Sequence, residues 1–205
     1  MEIGDKVLVF VLVVASVILH EVAHGYVAWR LGDPTARMHG RITLNPLAHI
    51  DLFGTILVPF LLSLTGGPVL GWAKPVPFNP SFFRDPKRDI MLTGAAGPAS
   101  NFAVAVLAAL LIAAVRIGFP AFPPRGVMLL ATLCMVNVYL GLFNLIPIPP
   151  LDGSRVAIGL MPDEWVAPYL RLERFGFLIL FGLLYLNAID WFLNPLAGWI
   201  LDLLL

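Results

Sequence analysis

Residues 7–31 form an apolar run long enough to cross a bilayer, and the run contains His20-Glu21-Val22-Ala23-His24. About 20 apolar residues span a hydrocarbon core of ~30 Å as a helix. In that medium only a helix or a closed barrel satisfies its own backbone. The spacing predicts one membrane helix over about 6–31, ended by Gly32-Asp33-Pro34. Positions i and i+4 share a helix face, so His20 and His24 point the same way. Two imidazoles so placed can grip a metal ion, and Glu21 beside them can take a proton from water. With four histidines in 205 residues, a random order would give this pattern on the order of once in a thousand chains. Ionisable residues inside an apolar span are costly and mark function.

The remaining composition agrees with a membrane setting. The chain is 59% hydrophobic and 13% charged, against about 25% charged in soluble domains. Its net charge of zero gives no reason to expect nucleic acid as a partner. Cys134 is the single cysteine, so no disulfide within the chain is possible, and its apolar surroundings suit packing. The first residues carry Glu2 and Asp5 against Lys6, unlike the positive start of a cleaved signal, so the first helix is expected to be retained. One membrane domain over residues 1–205 is expected, an all-α polytopic protein of about four to six segments with a short re-entrant or β piece.

Two further core helices are expected over about 90–117 and 127–147. The first of these holds Gly94, Gly97, Pro98 and Asn101; small residues permit close helix approach, and Pro98 frees backbone groups for a cavity. Residues 33–51 are turn-rich, and Arg41-Ile42-Thr43-Leu44 alternates as a short strand would. Residues 52–64 are apolar but short, which suits a re-entrant or tilted segment. Residues 65–89 read as loop. After Asn144, the prolines 147, 149 and 150 end any helix and present Asp152 on a stiff loop over 147–153. Residues 154–174 are amphipathic and read as interfacial. Residues 175–205 are apolar again, as one long kinked helix or two short ones. The five tryptophans, Trp29, Trp72, Trp165, Trp191 and Trp199, suit interfacial anchors.

Charge sets an orientation. Seven of the thirteen Lys and Arg lie between Arg30 and Arg88, and Arg155, Arg171 and Arg174 follow later. The positive-inside rule puts these groups in the cytoplasm and the N-terminus outside. His20 is then ~20 Å along its helix from Lys6, nearer the cytoplasmic face. Asp152 follows the inward end of the 127–147 helix, at the same face. Two separate readings thus bring Asp152 to the histidines as a third ligand.

With these residues placed, the chain resembles the site-2 protease family of intramembrane zinc metalloproteases. The matching pieces are His20-Glu21-Val22-Ala23-His24, Gly97-Pro98-Ala99-Ser100-Asn101, and the stretch from Asn144 to Gly153. His39 to Pro46 and Gly71 to Pro77 look like the compact prokaryotic branch, without PDZ or CBS domains. The resemblance implies a three-helix catalytic core and one Zn2+ per chain, held by His20, His24 and Asp152. It also implies Glu21 as base and a transmembrane protein as substrate, cleaved within or beside its membrane segment. Asn144 and Asn101 are expected to hydrogen-bond an oxyanion or substrate backbone, or to join helices. The expected location is the cell membrane, multi-pass, with a homo-oligomer left open. A zinc transporter or sensor using the same ligands is the rival reading, and it has no need of a base at Glu21. His39 and His49 with Asp33 and Asp51 offer a weaker second metal cluster, against ordinary hydrogen bonding in a loop.

Overall fold

The computed structural model describes residues 3–58, 60–61, 73–119 and 121–205. Among these there is no strand. The first helix, α1, runs Ile3–Arg30. A short α2 (Thr35–Met38) follows, then a 3-10 turn at Pro46–His49 and a π-type turn at Leu52–Leu57. An extended segment over 73–79 leads through a 3-10 turn at Pro80–Phe82 into α3, Pro86–Gly118. Asp85 caps α3 by accepting from the Arg88 N–H, and Pro86 takes the first helical position, where no N–H is needed. Helix α4 spans Pro124–Asn144, and α5 (Asp152–Leu160), α6 (Asp163–Leu170), α7 (Glu173–Tyr185) and α8 (Ala188–Leu204) complete the chain.

Among the described residues, α1 from Gly4, α3 and α4 are each long and apolar enough to cross a membrane. Helices α7 and α8 would make a fourth span only as a pair bent by 74°. Asn187 makes that bend with φ of 53°, a left-handed conformation that Asn tolerates better than most residues.

Helix α3 is the centre of the molecule and packs against α1, α4 and α5. Its inner stripe is small: Gly94, Gly97, Asn101, Ala105, Ala108 and Ala109 are buried. Small residues let helix axes approach closely where apolar bulk gives no advantage over lipid. The facing stripe of α1 is Ser16, His20, His24 and Ala28, one buried residue every four. Large apolar side chains such as Val7, Phe10, Val11, Leu107 and Leu110 face outward instead, as a lipid-facing surface requires. Asp5 of α1 and Arg125 of α4 pair at 2.8 Å. Those two helices therefore start at one end of the bundle, and α3 runs against them.

The expected strand over Arg41–Leu44 does not form. A strand needs a partner edge, and these residues are fastened as a loop instead. The Arg41 N–H bonds the Ala36 carbonyl, and the Arg41 guanidinium bonds the Ala48 carbonyl. The Thr43 carbonyl accepts from His49 Nε2. Residues 154–174 fold into α5 and α6, and Asp152 opens α5 rather than closing an extended stretch. Residues 59 and 62–64 of the re-entrant reading, residues 65–72 of the expected 65–89 loop, with Gly71 and Trp72, and the first two residues lie outside the described residues.

Candidate metal centre

The stripe on α1 presents His20 and His24 to α3, and the start of α5 brings Asp152 to the same point. His20 Nε2 lies 2.9 Å from Asp152 Oδ2, His24 Nε2 lies 3.0 Å from it, and the two Nε2 atoms are 3.0 Å apart. All three residues are buried. Among the described residues this is the one cluster of His, Cys, Asp or Glu able to hold a metal ion. Two glycines allow the approach. A Cβ at Gly97 would sit 2.6 Å from His20 Nε2, and closer to His24 Nε2. One at Gly153 would meet the Leu145 and Ile146 carbonyls.

The donor chemistry favours a cation. His24 Nδ1 is 2.6 Å from the Thr93 carbonyl, which can only accept, so Nδ1 carries the proton. A neutral imidazole has one N–H, so His24 Nε2 turns a bare lone pair toward Asp152 and His20. Such a crowd of Lewis bases repels itself unless a proton or a metal ion lies among them. Two imidazole nitrogens and one carboxylate oxygen also match the three-ligand sets of catalytic zinc, which leave one position open. Burial opposes ionisation of Asp152. A cation shared with the two histidines would offset that cost and keep the carboxyl ionised. Its other oxygen, Oδ1, accepts from Arg155 Nη1 at 3.1 Å, and the Arg155 guanidinium lies 4.9 Å over the Phe78 ring.

Glu21 sits beside the cluster but outside it. Its Oε2 accepts the Val76 N–H at 3.0 Å. Val76 belongs to the extended 73–79 segment, itself tied down by Lys74 N–H to the His49 carbonyl and Asn79 N–H to Asp33 Oδ2. One strip of chain thus reaches Glu21 through Val76 and Asp152 through Phe78 and Arg155.

The two asparagines have different partners. Asn101 Oδ1 is 2.6 Å from His20 Nδ1, and its Nδ2 donates to Asn137 Oδ1 at 2.9 Å. Its carboxamide is bonded at both ends, to His20 and to Asn137. Asn144 donates to the Leu140 carbonyl of its own helix at 3.0 Å. Among the described residues, His39, His49, Asp33 and Asp51 form no cluster able to hold a metal ion. His39 Nδ1 bonds the Thr35 carbonyl, and Asp33 accepts from Thr35 and Asn79. Sequence reasoning missed Arg155, Val76 and Asn137. Arg155 carried a legible signal, three residues after Asp152 on an amphipathic stretch.

Fold and site together define a helical membrane protein with a buried site of two histidines and one aspartate suited to a catalytic metal. The model of peptidase family M50 matches residues 124–185. YwhC of Bacillus subtilis, named as a zinc metalloprotease, is 37% identical over 192 residues, covering 92% of this chain and 81% of that protein. Rip2 of Mycolicibacterium smegmatis, named likewise, is 31% identical over 95% of this chain and 74% of its own length. Rip2 of Mycobacterium tuberculosis is 33% identical over the same shares. No solved structure gives a significant match. The chain belongs to peptidase family M50, the site-2 proteases, and is a zinc metalloprotease by that membership.

Proposed function

We propose that this zinc metalloprotease hydrolyses a peptide bond within or next to a transmembrane segment of a membrane protein, as in regulated intramembrane proteolysis. One observation carries the reading: His20, His24 and Asp152 are only 6%, 5% and 6% exposed, packed among helices long enough to span a bilayer. His20, His24 and Asp152 are the ligands in this reading, and the zinc they hold supplies a Lewis acid at the reacting centre. Glu21 is the general base. The Val76 N–H holds its Oε2, so Oε1 is left to accept the proton of the attacking water and to pass it to the leaving amine. A helical substrate has its carbonyls bonded within its own turns, so the scissile stretch must unwind to be attacked. The chain sits in the cell membrane with its N-terminus outside and the site nearer the cytoplasm, an orientation supported by the Lys and Arg of residues 30–88 and 155–174.

The test is Glu21→Gln in the full chain, with zinc content and cleavage of a membrane-embedded reporter measured together. Retained zinc with cleavage reduced by about 10²–10⁴-fold is expected. Cleavage at the original rate would sink the proposal.

A further inference from the structure

We infer that Asn137 on α4 is a positioning residue that, through Asn101, dictates which nitrogen of His20 carries the proton and so leaves Nε2 free for zinc. The inference rests on the ligand assignment proposed above.

The two ends of a carboxamide are told apart by their partners, and here one partner is unambiguous. The Leu133 carbonyl can only accept. The Asn137 atom 2.9 Å from it is therefore the amide nitrogen, Nδ2. The second hydrogen of that Nδ2 goes to Ser16 Oγ at 2.8 Å. Ser16 Oγ in turn donates to the Leu12 carbonyl at 2.8 Å, so it is an acceptor toward Asn137. Both hydrogens of Asn137 are thus used, and its Oδ1 is what faces Asn101. The Asn101 atom 2.9 Å away must then be Nδ2, which turns Asn101 Oδ1 to His20 Nδ1 at 2.6 Å. An oxygen there demands Nδ1–H. One N–H per neutral imidazole leaves Nε2 as a bare lone pair, aimed at Asp152 and His24.

Every member of the series is sealed from solvent: Ser16, Asn101 and Asn137 are 1%, 1% and 0% exposed. Bulk solvent does not reach them to offer a substitute partner. Without the anchor on α4, Asn101 is free to turn its amide over and present N–H to His20 Nδ1. The proton would then sit on Nε2, in the path of the metal. His24 needs no such device, because the Thr93 carbonyl fixes its Nδ1–H directly. Among the described residues, α4 supplies no ligand to the cluster, and the series gives it a part in the site beyond packing.

A plain structural role, in which the asparagines only join helices, makes a different forecast. The experiment is zinc affinity by chelator competition on the detergent-solubilised full chain, with thermal melting of the metal-free form alongside. Asn137→Leu is expected to weaken zinc binding by about 10–100-fold, the range for losing an outer partner of a ligand. Asn137→Asp keeps an oxygen toward Asn101 in either charge state, and its affinity is expected to stay within about threefold of the original. A folded Asn137→Leu chain that binds zinc undiminished overturns the inference, even if its melting temperature falls. So does a folded Asn137→Asp chain that loses as much affinity as the leucine variant. If the leucine chain does not fold, nitrogen-15 shifts of His20 in the zinc-loaded original chain decide. Metal on Nε2 with Nδ1 protonated supports the inference, and the reverse tautomer overturns it. Failure of the original chain to bind zinc would instead strike the ligand assignment.

Discussion

Gly97 shows how little room the site leaves around its ligands. Its missing side chain is the space occupied by His20 and His24. Gly97→Ala is therefore expected to cut bound zinc from about one per chain to near zero while helix content by circular dichroism is unchanged. Metal analysis of the purified chain checks it. Arg155 acts on Asp152, the proposed third ligand. Its Nη1 occupies Asp152 Oδ1 and leaves Oδ2 facing the histidines. Replacing it by Met removes the donor but keeps a long side chain against Phe78. Zinc affinity is expected to fall by about tenfold, read by the same chelator competition. The H-E-x-x-H spacing and Asp152 were legible from sequence, because helical periodicity and topology decide which faces and ends meet. The partner of Asn101 was not. Periodicity puts Asn101 on the inner face of α3, but only interhelical rotation and depth decide that its oxygen meets His20.

Elements are fixed here by short-range devices at their ends. Lys87 of α3 reaches the Met161 carbonyl after α5 at 2.6 Å and Asp163 at the start of α6 at 2.5 Å. Asp163 is exposed, so its half of the contact is screened and contributes at most about 1 kcal/mol. Asp163→Asn is expected to leave the melting temperature almost unchanged. Lys87→Met should lower it further, because the Met161 carbonyl also loses its donor. At the α7–α8 bend, Asn187→Gly is expected to be neutral, whereas Asn187→Val forces a β-branched residue to positive φ at a cost of about 1–2 kcal/mol. Chemical or thermal unfolding in detergent measures both. Element boundaries followed from Gly32-Asp33-Pro34 and the proline-rich 147–150 stretch, which stop helices by local chemistry. The strand over 41–44 misled because alternation reports one buried and one exposed face and says nothing of whether a partner edge exists.

Among the described residues, the molecule encloses a polar site of Ser, Asn, His and Asp beside an apolar core, while many large apolar side chains face outward. Its single cysteine lies fully buried between helices. The folded chain is therefore expected to resist a thiol reagent until it is denatured, which makes it a clean host for introduced cysteines. In intact cells a cysteine at exposed position 163 should react only once the membrane is made permeable, and one at exposed position 122 should react from outside. The opposite pattern would reverse the proposed orientation. Charge asymmetry in the sequence carries this expectation, since helix packing alone cannot distinguish the two sides of a bilayer.

The extended strip over Glu21 has a bearing on how the chain tolerates change. Pro75 and Pro77 have no N–H, so Val76 is the sole main-chain donor of that tripeptide, and it is the one bonded to Glu21. Glu21, the proposed base, is thus held by a group every amino acid except proline possesses. A saturation library at position 76 should therefore admit Ala, Thr or Ile with activity largely kept and reject proline even among uncharged residues of modest size. Selection on the catalytic carboxylate would be recorded there as the exclusion of one ring rather than as a preference for one side chain.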